Sequence, residues 1–245
     1  MPVSEKFILV DCIEFLLLEP RGSNMELKGE KREFYSVEEL GDIASSLEFA
    51  TTIPVNVEIE AEQRVYDMAE VEAILRSSKY IFLNDCGCRT RHHNCNNPLD
   101  TCISVNVGFD YLEKGEGVNS RRVTVEEALD ALRRSHEAGL VHMAYVMKGE
   151  EKPQLICSCC TCCCHTLGGL LYHGISTQVL TSKLIAEDET RRCISCGKCV
   201  ERCVFGARTM VDGVLIYDAL RCFGCGLCVS ECSTNVIKLV KRKMS

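Results

Sequence analysis

Apolar and polar positions alternate most clearly from Ile53 to Glu60, where Val55, Val57 and Ile59 interleave with Asn56, Glu58 and Glu60. Successive side chains leave a strand on opposite faces, so this period of two predicts a half-buried strand. Tyr80 to Leu83 predicts a second. Helix starts are marked by Ser36 with Glu39, Asp67 with Glu70 and Thr124 with Glu127. In each pair a short polar side chain accepts from the backbone three residues on, and the acidic side chain returns the bond. The signals predict helices near 37–48, 68–77 and 125–138, with Gly115 and Gly117 marking a loop before the third. Leu170, Leu171 and Tyr172 read as the core face of a short helix that Gly174 ends. Asp212-Gly213, between Thr209–Val211 and Val214–Tyr217, predicts a hairpin turn. An α+β fold is the simplest assembly of these elements.

One eleven-residue phrase, C-x-x-C-G-x-C-V-x-x-C, occurs twice near the C-terminus. Its first copy holds Cys193, Cys196, Gly197, Cys199, Val200 and Cys203, and its second holds Cys222, Cys225, Gly226, Cys228, Val229 and Cys232. Three cysteines so closely spaced can wrap one four-iron cube, while the fourth, set back by three residues, reaches the neighbouring cube. The spacing therefore predicts two 4Fe-4S clusters, one on Cys193, Cys196, Cys199 and Cys232, the other on Cys222, Cys225, Cys228 and Cys203. Gly197 and Gly226 lack a Cβ, which lets the backbone approach a cube and take positive φ. Structural zinc is the alternative for C-x-x-C pairs, but it needs only four of these thiolates.

These residues resemble the bacterial two-cluster ferredoxins over roughly 188–238. That family usually carries Pro after the fourth cysteine of each phrase, where this chain has Val204 and Ser233. Proline there fixes the backbone and withholds an N–H, so the change bears on the hydrogen bonding and potential of the clusters. A C-x-C-R loop, two spaced cysteines with Pro between them, a CSCCTCCC run and then the doubled phrase also look like the cysteine-rich ferredoxin-like proteins of anaerobes. This wider resemblance spans 53–240 and supplies no reaction.

The chain has 245 residues, 46% of them hydrophobic, enough to bury a real core. Its 19 cysteines are odd in number, several are adjacent and no export signal is evident, which argues against a disulfide scaffold and for a reducing, cytoplasmic, anaerobic setting. The apolar run Phe7–Leu18 is interrupted by Asp11 and Glu14, and is too short and too charged to span a bilayer. From Thr190 onward ten Lys or Arg face four Asp or Glu, a formal +6, leaving 18 and 31, a formal −13, for the rest. Part of that positive charge offsets anionic clusters, and no nucleic-acid-binding signature accompanies it. The tail Lys241, Arg242, Lys243 is a solvated end or a dock for an acidic partner. The acidic stretch Glu187, Asp188, Glu189 divides a cysteine-rich domain, 1–187, from a dicluster domain, 188–245.

The first part carries eleven cysteines of its own. Cys12 lies in the apolar opening run and reads as a small buried hydrophobe. The other ten form two groups, Cys86, Cys88, Cys95 and Cys102, then Cys157, Cys159, Cys160, Cys162, Cys163 and Cys164. Each group follows an apolar, strand-like segment, so both are expected beyond strand ends at one edge of a sheet, converging on one site. Ten thiols exceed what one zinc or one cubane takes, and a further iron–sulfur centre, zinc or metal-free redox thiols remain open. Arg89, Arg91, His92 and His93 either offset an anionic centre or form a solvated basic loop. His165 is a candidate non-cysteine ligand or proton donor, unless a helix starting at Thr166 places it on the surface. Pro98 and Asp100 look like turn residues.

The sequence thus predicts an iron–sulfur electron-transfer protein, acting with a protein redox partner or as a subunit of a larger redox complex. Two alternatives stand beside it: an oxidoreductase reducing a small molecule at the cysteine-rich site, and a redox or metal sensor. No G-x-G-x-x-G or G-x-x-x-x-G-K-[ST] fingerprint is present.

Overall fold

In a computed structural model of the chain, residues 35–45, 47–52, 71–106, 119–147, 152–173, 179–180 and 182–243 are described, and all belong to one compact unit, Glu33–Ser245. The strand expected over 53–60, the cap at Asp67, Gly115, Gly117, Gly174 and Cys12 lie outside these residues. The larger part is built on strands β1 (Leu47–Thr52), β2 (Ile81–Asp85), β3 (Asp100–Val105), β4 (Arg121–Arg122), β5 (Val141–Met147), β6 (Leu155–Cys159) and β7 (Val179–Leu180). They form one sheet in the order β4-β2-β3-β6-β5-β1-β7, antiparallel except for β1 against β7. Its helices are α1 (Val37–Ser45), α2 (71–77), α3 (Gly87–His92), α4 (Val125–Glu137) and α5 (His165–His173). The fold is α+β.

Two helix starts form as their sequences predict. Ser36 and Glu39 exchange bonds of 2.9 and 3.1 Å, and Thr124 and Glu127 bonds of 2.8 and 3.1 Å. The first helix ends at Ser45, short of the expected 48, because the chain from Leu47 pairs with β5 instead. Asp100 begins β3 rather than a turn, and its carboxylate binds Arg134 of α4 at 2.9 Å.

The period of two in β6 sorts its side chains between two cores. Ile156 joins Ile81, Leu83, Ile103 and Val105 under Val71 and Leu75 of α2 and Ala128, Ala131 and Leu132 of α4. Leu155, Cys157 and Cys159 face the other way, into a cluster with Met143, Tyr145, Leu167 of α5, and Phe205, Phe223 and Leu227 of the C-terminal part. One face of the sheet is therefore covered by α2 and α4, and the other by α5 together with Cys203–Phe205 and the second copy of the cysteine phrase.

The C-terminal part consists of β8 (Leu184–Asp188), α6 (Lys198–Glu201), β9 (Arg208–Val211), β10 (Val214–Tyr217), α7 (Leu227–Ser230) and β11 (Ile237–Lys241). β8 pairs antiparallel with β11 from Leu184 opposite Lys241 to Asp188 opposite Ile237, so strand pairing in this part starts just before the acidic stretch. β9 and β10 form the expected hairpin, and Asp212 (φ 50°) and Gly213 (φ 77°) supply the two positive φ angles of a type I′ turn.

The two parts are pinned by polar groups as well as by the apolar cluster. Arg202 donates to the carbonyls of His136 (3.3 Å) and Glu137 (2.7 Å) at the end of α4, and pairs with Glu231 at 3.0 Å. It lies over Gly139, where an added Cβ would come within 2.7 Å of its Nη1. His136 Nε2 is 2.6 Å from Ser230 Oγ, and its ring stacks on His142, which bonds Ser158 Oγ at 3.0 Å. Burial holds both imidazoles neutral, His136 down at about 4 and His142 at about 3. Among the described residues, no helix is long and apolar enough to cross a membrane.

Candidate metal centres

Both copies of the phrase adopt one local structure: a short 3₁₀ turn, a cysteine loop, a glycine at positive φ and one turn of helix. Gly197 (φ 78°) and Gly226 (φ 79°) occupy the left-handed position, as expected from their lack of a Cβ. The second copy carries another required glycine. At Gly224 (φ 74°) a Cβ would lie 2.1 Å from the Leu184 carbonyl oxygen, whereas the first copy has Ser195, at φ 50°, in that place.

A small cavity of about 20 Å³ is lined by Cys203, Cys222, Cys225 and Cys228, together with Phe205, Tyr217, Phe223 and Arg208. Cys203 comes from the first copy and the other three from the second. Cys193, Cys199 and Cys232 lie in an apolar cluster under β8 and β11 that also takes in Cys203, Cys222 and Cys228, and Cys196 is exposed. Between the two sets lies Arg208, buried, held by Asp188 through two 2.6 Å bonds and hydrogen-bonded to both Cys199 and Cys228. Burial pushes the Cys225 thiol up, and the Cys228 thiol to about 12. Such groups ionise in place only with a strong positive partner.

The ten cysteines of the larger part come together and then divide. Their positions differ from the expected strand-end loops at a sheet edge: Cys102 sits within β3, and Cys157 and Cys159 within β6, two central strands. The Ile103–Ile156 pairing brings Cys102 beside Cys157. From there six thiols make a closed ring of hydrogen-bonding contacts, Cys86 to Cys102, Cys157, Cys159, Cys164, Cys88 and back to Cys86. The remaining four, Cys95, Cys160, Cys162 and Cys163, have sulfurs all within 4.8 Å of one another. A single shared pocket is thus resolved into a six-thiol ring and a four-thiol cage.

The ring has hydrogen-bonding neighbours of other kinds. His165 begins α5 and places Nδ1 3.3 Å from Cys88 Sγ, which removes it from the surface role, and burial lowers its imidazole to about 4. Tyr35 Oη donates to Cys88 at 3.7 Å, and Tyr145 Oη lies 3.8 Å from Cys159. Of the basic loop, Arg91 reaches Glu39 of α1 at 2.7 Å and covers the Tyr35 ring, and His92 meets that ring edge-on at 4.6 Å. His93 ends α3 in the left-handed conformation. Arg89 turns inward, 1% exposed, donating to the Ser158 carbonyl (2.9 Å), to Thr101 Oγ1 and to Cys160 Sγ (3.9 Å).

Arg208, Gly224, Tyr35 and Tyr145 are contributors that sequence reasoning missed. Only Gly224 left a local trace, a glycine between two of the paired cysteines. Residues 215–238, containing the second copy of the phrase and the strand before it, match the family described as 4Fe-4S binding domain. A search of curated proteins finds no match to the chain.

Proposed function

We propose that the protein relays single electrons between an external protein partner and a thiolate-bound centre in its larger part, through two 4Fe-4S clusters in 188–245. Cys193, Cys196, Cys199 and Cys232 would hold the outer cluster, and Cys203, Cys222, Cys225 and Cys228 the inner one. The six-thiol ring is the third, iron–sulfur centre. A bound 4Fe-4S cluster supplies a one-electron couple. The protein's share is to position the cysteines, to keep water away with Phe205 and Phe223, and to place the Arg208 charge between the two sets.

One observation carries this reading. Cys203 and Cys225 of the inner set and Cys157, Cys159 and Cys164 of the ring lie in the same apolar cluster, around Phe205 and Phe223, whose rings stack at 4.4 Å. A continuous apolar contact of this kind suits a short electron path. A cytoplasmic, anaerobic setting fits so many free thiols among the described residues.

A second reading, reduction of a small molecule at the ring, is favoured by His165 and Tyr35 against Cys88, which place polar, hydrogen-bonding groups beside the centre. Anaerobic purification followed by iron and acid-labile sulfide analysis tests the common ground. The relay requires about eight irons from two cubanes and further iron at the ring. About four irons in total would remove the dicluster assignment, and about eight with no ring iron would remove the third centre.

A further inference from the structure

The four-thiol cage has its own dimensions. Cys95 Sγ lies 3.8 Å from Cys160 Sγ and 4.0 Å from Cys163 Sγ, and Cys162 Sγ lies 3.8 Å from Cys163 Sγ. These separations are nearly twice the roughly 2.05 Å of a disulfide. Four sulfurs at about 2.3 Å from a single tetrahedral zinc ion stand about 3.8 Å apart by simple geometry. A four-iron cube puts an iron beneath each thiolate and spreads the sulfurs much further. The cage is therefore sized for one ion.

The charge beside the cage is compatible with such a site. Arg89 is fully buried and permanently cationic, and a buried charge of that kind is stable only against anions. None of the ion pairs among the described residues gives it a carboxylate. Its hydroxyl and carbonyl acceptors are neutral, and the sulfurs around it are Cys160 of the cage and Cys86 and Cys102 of the ring.

The polar surroundings are built for such a site. Asn97 Nδ2 lies 3.4 Å from Cys95 Sγ, and Asn94 Nδ2 donates to the Cys162 carbonyl at 2.8 Å. Hydrogen bonds of this kind hold thiolate ligands in orientation and moderate their charge.

We infer that Cys95, Cys160, Cys162 and Cys163 bind a single structural zinc ion, separate from the six-thiol ring, tying the loop after α3 to the turn after β6. All four coordination positions are filled by protein, so the site is closed and redox-inert. This assignment does not depend on the electron relay, because the cage shares no ligand with the ring.

The test is metal analysis of the full chain purified anaerobically, beside Cys163→Ser and Cys102→Ser. One zinc per chain is expected, falling at least tenfold in Cys163→Ser with iron and sulfide unchanged, and retained in Cys102→Ser. Absence of zinc from the unaltered chain, or loss of the same metal in both variants, overturns the inference. Should Cys163→Ser fail to fold, X-ray absorption at the zinc edge of the unaltered protein decides: four sulfurs at about 2.3 Å support the site, and nitrogen or oxygen ligands overturn it. Iron in place of zinc on four sulfurs overturns the zinc assignment.

Discussion

The two copies of the cysteine phrase share a backbone and differ in what surrounds it. In the first, Ile194 is 63% exposed, Cys196 is exposed and Ser195 stands at positive φ. At the matching places of the second, Phe223 is buried against β5 and α5, Cys225 packs into the same cluster, and Gly224 passes so close to Leu184 that no side chain fits. The first copy faces solvent, whereas the second packs against the larger part. Under the proposed relay, this difference would put exchange with a protein partner at the exposed first copy and exchange with the thiol ring at the buried second one.

Removing one ligand from each copy gives the largest effect. Cys225→Ala should lose the inner cluster and with it all electron transfer to the ring, while Cys196→Ala should lose the outer cluster and leave the inner one able to reduce the ring from a small-molecule donor. Cys203→Ala should behave like Cys225→Ala although it lies in the first phrase. Electron paramagnetic resonance of each dithionite-reduced variant reads this directly, and equal loss of both signals in every variant would erase the inner–outer distinction.

The glycine position gives a graded version. Gly224→Ala must displace backbone and should cost roughly 3 kcal/mol or prevent the parts from docking. Ser195→Gly relieves a left-handed serine and should stabilise by about 1 kcal/mol. Denaturant titrations under argon check both, and similar effects at the two sites would show that the copies are packed alike.

Acid should act on the inner side through His136 and His142. Their folded pKa values, about 4 and about 3, lie below the unfolded value of about 6.5. The unfolded chain therefore binds more protons between these limits, and stability falls as pH drops from about 6.5 toward 4, by on the order of 2–3 kcal/mol in all after allowance for partial solvation. His136→Asn should flatten part of that slope. An unchanged pH profile would mean the stacked pair is not neutral and buried at the interface. The smallest effect is expected at the outer surface: Ile194→Ser should shift stability by less than about 0.5 kcal/mol, yet weaken reduction by a protein donor a few-fold, measured as a raised KM.

Much of this organisation was readable from the chain, wherever the determinant is local. The caps at Ser36 and Thr124, the turn at Asp212-Gly213 and the glycines at 197 and 226 each act through neighbours a few residues away. The sites of the larger part were less legible. Cys157 and Cys159 alternate with Ile156 and Ser158, a strand period hidden inside an apparent cysteine-rich loop, and the same holds for Cys102 beside Ile103. Division into ring and cage depends on which loops cross which strands, which no spacing encodes. Arg89 sits among Arg91, His92 and His93 and shares their composition, and only its position on the first turn of α3, facing the sheet, makes it a buried cation.

The central claim is that the inner cluster and the thiol ring are neighbours in one electron path. The most direct test is an anaerobic redox titration of the full chain followed by electron paramagnetic resonance, with Cys225→Ala as reference. The account predicts that the ring centre gives a signal broadened or split by the reduced inner cluster, and that the splitting vanishes in Cys225→Ala while the ring centre itself remains. A ring that stays silent at every potential, or one whose signal is the same with and without the inner cluster, would contradict it.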